Sequence, residues 1–445
     1  MTKDMTSGSP AKLILRFTIP LIFGNLFQQF YSMVDTIIVG RFLGTQSLAA
    51  VGSTGSVNFL IIGFCLGLCS GFSIPVAQRF GAKDFDEMRQ LIGNIVWICA
   101  AASVVFTVLT VVFCRPILVA MSTPEDIIDE AYAYIVVIFA GIPTTFFYNI
   151  LAGLLRALGD SKTPVVFLIM ASIINIVLDL LLILVIPMGV AGAAVATVIS
   201  QGVSGLACFV FIVKKFPILH IKKEDLRFRP DCIRTLCGTG IPMGLQSSIT
   251  AIGSILLQVS VNSLGSMIVA AVTAANKLSM FFTAAFDAMG IAMSTYGGQN
   301  IGARKPERLS PGLRAGMVIG SIYSVFALII IFFFGRSLAL LFVDSGETEI
   351  IENTYHYLLT NAAFYIPLTG VNVFRLLLQG IGYSKIAIFA GVCEMVARGI
   401  TGLFLVPAFG FAAACFASPI AWVMADLFLV PVYFRVMKNI RQYGR

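Results

Sequence analysis

Long apolar runs separated by short polar segments dominate the chain. Each run is close to the ~20 residues that cross the hydrocarbon core of a bilayer as a helix. A run such as 165–186, with one acid and no base, leaves no solvated face for a soluble helix. The pattern predicts about twelve membrane-spanning helices, near residues 13–39, 48–77, 91–113, 131–154, 165–186, 189–213, 236–261, 268–295, 313–334, 356–378, 386–407 and 411–434.

Composition agrees with a membrane protein and argues against enzymes and metal proteins. Hydrophobic residues make up 58% of the chain and charged residues 12%, against roughly 45–50% and 25% in soluble domains. The nine cysteines fall mostly in apolar runs without a CxxC pair, and there are only two histidines. We therefore expect no disulfide framework, no structural metal site and no cofactor. No phosphate-binding loop or catalytic triad pattern is present, so the chain is not expected to be an enzyme.

The basic residues predict the orientation in the membrane. With the N-terminus inside, 24 Lys and Arg residues fall on the cytoplasmic side and three (Arg41, Arg115 and Arg336) on the other. Cytoplasmic loops carry the excess of positive charge, so both termini are predicted to be cytoplasmic, in a multi-pass protein of the inner (plasma) membrane. The net charge of +8 then reports topology and not nucleic-acid binding.

The two halves of the sequence resemble each other at a shift of about 221 residues. The matches include Ile19-Pro20 with Ile241-Pro242, Gly159-x-Ser161-Lys162 with Gly382-x-Ser384-Lys385, and Gly189-x-Ala191 with Gly410-x-Ala412. We predict an all-α membrane fold of two six-helix lobes related by a pseudo-two-fold axis along the membrane normal. Residues 1–213 form the first lobe, 214–235 a cytoplasmic linker and 236–445 the second lobe. Such a duplication suits a transporter that works by alternating access between the lobes.

Two acidic residues lie deep in the spans of the first half, where an ionisable group costs about 2.5–3.5 kcal/mol on insertion scales and usually has a function. Asp35 shares a face of the first span with Tyr31, four residues earlier, and Gln28, seven residues earlier. Asp179 follows Asn175 by four residues on the fifth span. If these faces converge, two carboxylates in a low dielectric cannot both remain charged.

A third polar patch on the sixth span contains Thr197, Ser200 and Gln201. Together with the acids it could bind a proton, or a sodium ion through carboxylate, amide and hydroxyl oxygens. The alternative is that each aspartate only caps its helix or bonds neighbouring backbone. Pro20 removes one hydrogen bond from the first span and can bend it; a static kink that improves packing is the alternative there.

The second half keeps the proline, as Pro242, but has leucine at the position of Asp35. Asp287 lies among methionine and phenylalanine residues, an environment suited to lipophilic organic cations. We therefore assign a candidate substrate cavity to Gln28, Gln246, Met280, Phe286, Asp287 and Met289, with ordinary core or lipid-facing packing as the alternative. Glu394 and Arg398, four residues apart, are predicted to form an ion pair.

Three glycines on the second span, Gly63, Gly67 and Gly71, form a double GxxxG pattern. Such patterns let helix backbones approach closely. We interpret this one as helix packing.

These motifs together resemble those of the multidrug and toxic compound extrusion (MATE) family over essentially the whole chain. The resemblance rests on four motifs: the opening IP-x(14)-DTIIVGRFLG (Ile19 to Gly44), Gln78-x-x-Gly81-Ala82-Lys83, the LRALGDSKTP loop (Leu155 to Pro164), and N-x-x-x-D in the fifth span.

The resemblance implies cation-coupled export of diverse organic cations and drugs. Tyr31, Asp35, Asn175, Asp179 and Thr197 match the polar cluster that binds protons or sodium in the DinF-like branch, and Pro20 matches the bending proline. Asp35, Asn175, Asp179 and Thr197 are thus the candidate sodium ligands. In the NorM-like branch, acidic residues in the seventh and tenth spans are also important. This sequence has no acidic residue in either of these two spans. The implied partners are amphipathic organic cations and the bilayer, with no nucleic acid, and the protein is expected to be a monomer.

Two other functions fit the sequence less well than drug export. A lipid-linked oligosaccharide flippase of the same superfamily would need a strongly cationic cavity, whereas deep bases are limited to Lys277, Arg375 and Arg398. A membrane-embedded enzyme or receptor would not need the internal repeat.

Overall fold

The computed structural model describes residues 4–121 and 123–443, and within these ranges the regular structure is helical throughout. The helices of the first half are α1 (Pro10–Phe42), α2 (Thr45–Ser53), α3 (Gly55–Gly81), α4 (Phe85–Val112), α5 (Cys114–Ala120), α6 (Ile128–Ala140), α7 (Ile142–Ala157), α8 (Lys162–Leu180) and α9 (Val190–Lys215). Those of the second half are α10 (Pro230–Asn262), α11 (Ser266–Gly302), α12 (Leu309–Ala339), α13 (Thr348–Ala363), α14 (Tyr365–Gly380), α15 (Ser384–Ile400), α16 (Val406–Phe409) and α17 (Phe411–Tyr443).

Ten of the helical segments are long and apolar enough to cross a membrane, and two bent pairs bring the number to as many as twelve among the described residues. The predicted twelve-span, all-helical fold is therefore confirmed. Many large apolar side chains along these helices are exposed, among them Phe333 and Leu403. Lipid, and not water, is the solvent that makes such exposure favourable.

The two bent pairs replace two spans that the sequence predicted as continuous. The pair α6 and α7 bends by 46°, and the pair α13 and α14 by 51°. Pro143 and Pro367 lie in the first turn of α7 and α14. Proline lacks the amide hydrogen of a helical bond and clashes with the preceding turn, so the helix restarts in a new direction at each of these positions.

Backbone contacts divide the chain into two compact units whose boundaries differ from the predicted lobes. The first unit contains Phe23–Gly244; the second contains Met5–Ile22 and the chain from Leu245 onward. Helices α1 and α10 therefore each begin in one unit and continue in the other. The predicted borders, 1–213, 214–235 and 236–445, followed polar sequence, whereas the units follow the packing of helix segments.

The predicted linker is packed onto the first unit. The Arg229 guanidinium pairs with Glu87 at 3.0 Å, and its backbone amide donates to Asn94 Oδ1 at 2.9 Å. The Trp97 indole donates to the Leu226 carbonyl at 2.9 Å. These contacts with α4 satisfy the hydrogen bonds of the backbone groups and explain why this segment belongs to the first unit.

Close packing of α3 against the first part of α10 depends on the predicted glycine pattern. A Cβ atom at Gly71 would lie 2.5 Å from the Gly240 Cα, and one at Gly67 would lie 2.6 Å from the Met243 carbonyl oxygen. Real Cβ atoms do not approach backbone so closely, so the contact requires glycine. The interpretation of Gly67 and Gly71 as packing residues is confirmed.

We predict that Gly71→Ala destabilises the folded protein by about 1–3 kcal/mol, because the added methyl group has no room beside Gly240. Gly238→Ala on α10 is the matched control: nothing lies within 4 Å of its added Cβ, and alanine favours helix over glycine by roughly 0.5–1 kcal/mol. Thermal unfolding of both variants in detergent measures the difference. Equal midpoints would contradict the close-packing explanation.

Candidate functional site

Three helices of the first unit contribute the predicted polar cluster. Helix α1 carries Tyr31 and Asp35, α8 carries Asn175 and Asp179, and α9 carries Thr197. The Asp35 and Asp179 carboxyl groups are hydrogen-bonding neighbours, and Tyr31 interacts electrostatically with both. The structure thus brings together, from distant parts of the sequence, the residues that were expected to converge.

Burial makes the pair of carboxyl groups chemically unusual. Asp179 is fully buried, and Oδ1 of Asp35 is shielded from solvent without receiving a hydrogen bond. A hydrogen bond between two carboxyl groups needs a proton on one of them. In a low dielectric the doubly ionised pair is strongly disfavoured unless a cation lies between the groups. The pair can therefore hold a proton, or exchange it for a small cation.

Asn175 and Thr197 extend the cluster from the carboxyl pair to α9. The Asn175 amide donates to Thr197 Oγ1 at 3.3 Å, and the Thr197 hydroxyl donates to the Ala193 carbonyl at 3.1 Å. Asn175 is 1% exposed. This bond joins α8 to α9 one helical turn before Asp179. Its amide and hydroxyl groups are two oxygen-containing types of ligand.

The other polar residues noted on these helices are engaged elsewhere. The Ser172 hydroxyl donates to the Leu168 carbonyl and the Ser200 hydroxyl to the Thr197 carbonyl, both at 2.9 Å within their own helices. Gln201 accepts a bond from Thr145 at 2.9 Å.

Tyr134 belongs to the cluster and was missed in the sequence. It lies on α6 with 9% of its surface exposed and interacts electrostatically with Tyr31, Asp35 and Asp179. A tyrosine in an apolar span carries no local signal that separates a site residue from a packing residue. Only the fold of α6 against the other helices reveals its place.

Local structure at both ends of α8 positions its polar face. At its start the buried Asp160 accepts from the amides of Lys162 and Thr163, at 3.0 and 3.1 Å, as helix-capping residues do. Two residues after Asp179 the helix widens into a π-helical segment, Leu181–Val185. Such wide turns are rare and frequently accompany functional sites.

Pro20 lies inside α1, three residues before the chain enters the first unit. Gln28 is exposed, although it was predicted on the same face as Tyr31 and Asp35. The position of the proline and the exposure of Gln28 leave both residues outside the buried carboxyl cluster.

The structure contradicts part of the predicted substrate cavity in the second unit. Phe286 and Met289 are 1% and 4% exposed, and the Phe286 ring packs 5.2 Å from Tyr323 and 5.3 Å from Tyr365. They are core residues, because α11 turns this side of its surface toward α12 and α14. Asp287 and Met280 are exposed, whereas the Gln246 side chain is hydrogen-bonded to Gln379.

Glu394 has two guanidinium partners, of which the predicted one is the more distant. Arg375 on α14 lies 2.7 Å from Glu394 Oε1, and Arg398 lies 3.7 Å from Oε2. The predicted pair exists, but the partner from another helix is closer. At the offset of 223 residues that relates Gly159 to Gly382, Arg398 corresponds to Asn175. A fixed guanidinium thus occupies the second unit where the first has an amide.

Comparison with known proteins identifies the family. The MatE family model matches residues 20–181 and 242–405. YpnP, a probable multidrug resistance protein of Bacillus subtilis (strain 168), is 30% identical over 369 residues, or 83% of this chain and 82% of the relative. YoeA, a second probable multidrug resistance protein of that strain, is 31% identical over 360 residues, or 79% of this chain and 78% of the relative. The chain belongs to the MATE family.

MATE proteins are transporters and not enzymes, and the two matched segments fall in the two sequence repeats. A solved structure of MATE in complex with MaL6 superposes with a TM-score of 0.93 at 24% identity, covering 99% of this chain and 100% of that chain, and shows the same fold. The predicted family and non-enzymatic nature are confirmed. The chain is a multi-pass membrane protein of a multidrug efflux family, and the lipid-linked oligosaccharide flippase is not favoured.

We predict that an apolar carbodiimide, which modifies protonated carboxyl groups, labels the Asp35 and Asp179 pair. Labelling should fall as the pH rises, because ionisation removes the reactive acid form. Mass spectrometry of the purified protein locates the modified residues. Asp86, whose side chain is 88% exposed on α4, is the control that should stay unlabelled at neutral pH; equal labelling of Asp86 and the pair would contradict a shared proton.

Proposed function

We propose that this MATE protein exports amphipathic organic cations in exchange for protons or sodium ions. The observation that carries the proposal is the buried contact between Asp35 and Asp179, which joins two helices through carboxyl groups. Removal of the proton leaves two negative charges in a low dielectric. The helices must then move apart, admit water or bind a cation.

Ion binding at this pair can drive transport only if it favours one conformation over another. Asp35 lies on α1, which begins in the second unit and enters the first at Phe23. A shift of α1 relative to α8 therefore reaches a helix shared by both units. Pro20 lies close to the position where α1 enters the first unit, and it removes one backbone hydrogen bond from the helix. We propose that α1 bends at Pro20 when the pair of aspartates binds or releases a proton or sodium ion.

Sodium and protons make different demands on the same cluster. A proton needs one basic oxygen, whereas sodium needs several oxygen ligands in place of its hydration shell. Asp35, Asp179, Asn175 and Thr197 together offer carboxylate, amide and hydroxyl oxygens. The contribution of Thr197 therefore separates the two coupling ions experimentally.

The expected substrates follow from the family and from accessible groups of the second unit. Asp287 and Met280 are exposed on α11, so a carboxylate and a polarisable side chain remain accessible to a lipophilic cation. We further propose that the protein is a monomer in the plasma membrane. The distribution of basic residues favours an orientation with both termini in the cytoplasm.

Asp179→Asn should abolish export of a fluorescent organic cation such as ethidium from proteoliposomes driven by an imposed pH gradient. An amide cannot exchange a proton, so the coupling reaction is lost while the shape of the side chain is kept. Asp86→Asn, at an exposed position of α4, is the matched control and should transport like the wild type. Wild-type rates in Asp179→Asn would refute the proposed role of the pair.

Thr197→Val should distinguish between the two ions. If sodium is the coupling ion, loss of the hydroxyl ligand reduces transport driven by a sodium gradient. If the proton is the coupling ion, transport driven by a pH gradient continues in this variant. Separate proton and sodium gradients across the same vesicles provide the measurement. A wild type that responds to neither gradient would exclude cation-coupled antiport.

A further inference from the structure

The second unit contains a second buried charge cluster, away from the site described above. Glu394 and Arg398 on α15 meet Arg375 on α14 and Asp426 on α17. The side chains of Glu394 and Arg398 are 4% and 9% exposed. The sequence carries no local signal for Asp426, because it is a single acid in an apolar span with no polar residue one helical turn away.

The Asp426 carboxyl group packs directly against the backbone of α14 at Gly370. A Cβ atom at Gly370 would lie 2.8 Å from both Cγ and Oδ1 of Asp426, so the contact depends on glycine. Oδ1 is shielded from solvent and receives no hydrogen bond. A carboxylate oxygen in this position would carry charge without the hydrogen bonds that normally stabilise it.

The neighbouring cations both interact with another acid, Glu394, although the buried Nη1 of Arg398 donates no hydrogen bond. Glu394 binds Arg375 through one oxygen and lies near Arg398 through the other, at 2.7 and 3.7 Å. Asp287 also interacts with Arg375. Three carboxyl groups thus share two guanidinium groups, which leaves one negative charge in excess when all are ionised. Membrane interiors disfavour such an excess.

We propose that Asp426 is a proton-binding site of the second unit, separate from the pair formed by Asp35 and Asp179. The bound proton neutralises the acid of the cluster whose Oδ1 is shielded from solvent and receives no hydrogen bond. The residue is only partly buried, so the proton comes from water and returns to it. When the proton leaves, the new charge interacts with Arg375, and Glu394 and Asp426 compete for that guanidinium.

The groups that face Asp426 come from the helices packed around α17. Helix α15 provides the negative charge of Glu394, and α14 provides the positive charge of Arg375. Arg398 on α15 contacts Glu394, and Tyr357 on α13 interacts with Arg398 and bonds Ser418 of α17. A change in the charge of Asp426 therefore acts on the packing of three helices.

The site is particular to the second unit. At the offset of 221 residues that relates Gly189 to Gly410, the counterpart of Asp426 is Gly205. Gly205 packs against the ring of Phe147 and has no ionisable side chain. The proposed proton site is therefore not a copy of the aspartate pair, which keeps the two sites separable by mutation.

The test counts the protons that the purified protein releases when the pH is raised from about 5.5, where exposed carboxyl groups are already ionised. Asp426→Asn should release one proton fewer than the wild type, Asp179→Asn should also lose one, and the double variant two. Asp344→Asn, in an exposed loop of the second unit, is the control and should release as many as the wild type. An unchanged count in Asp426→Asn would overturn the proposal.

The design separates failure of this site from failure of the proposed coupling pair. If Asp426→Asn releases one proton fewer but Asp179→Asn releases as many as the wild type, the shared proton of Asp35 and Asp179 is rejected and the second site is supported. A variant with Asp35 and Asp179 both changed to Asn keeps every charge of the cluster around Asp426 and needs no mutation at Asp426. Its infrared spectrum at neutral pH should keep the carbonyl band of a protonated aspartic acid; absence of that band would also overturn the proposal.

Discussion

An ionised carboxyl group in a low-dielectric interior must find a partner, and this requirement organises the polar chemistry of both units. Soluble proteins can leave surplus charge in water, but a membrane span cannot. The first unit places the carboxyl groups of Asp35 and Asp179 against each other, and in the proposed mechanism a proton or cation relieves their repulsion. The second unit meets the requirement mainly with guanidinium groups of its own.

The two halves share one arrangement of helices, but their polar residues have diverged. Both halves have a broken span after α6 or α13 and a π-helical segment after α8 or α15. Yet Asn175, which bonds Thr197 in the first unit, corresponds to Arg398 in the second. The second unit thus has a fixed guanidinium where the first has a neutral amide, so the repeats share architecture while their chemistry differs.

Irregular backbone lies close to this chemistry. Prolines break two spans, and wide π-helical turns follow the helices that carry Asp179 and Arg398. Regular helices satisfy their own backbone bonds and resist change. The prolines and π-helical turns remove or weaken a few backbone hydrogen bonds. In a transporter, such interruptions allow one helix segment to shift while the rest of the helix stays folded.

The sequence by itself determined the membrane-spanning helices, the repeat and the residue types of the first polar cluster, because hydrophobic length and helical spacing are local properties. It could not determine which faces meet. Tyr134 and Asp426 joined their clusters, and Phe286 and Met289 entered the core, only through packing between helices distant in sequence. The unit boundaries at Ile22 and Gly244 also required the tertiary structure, since α1 and α10 continue unbroken across them.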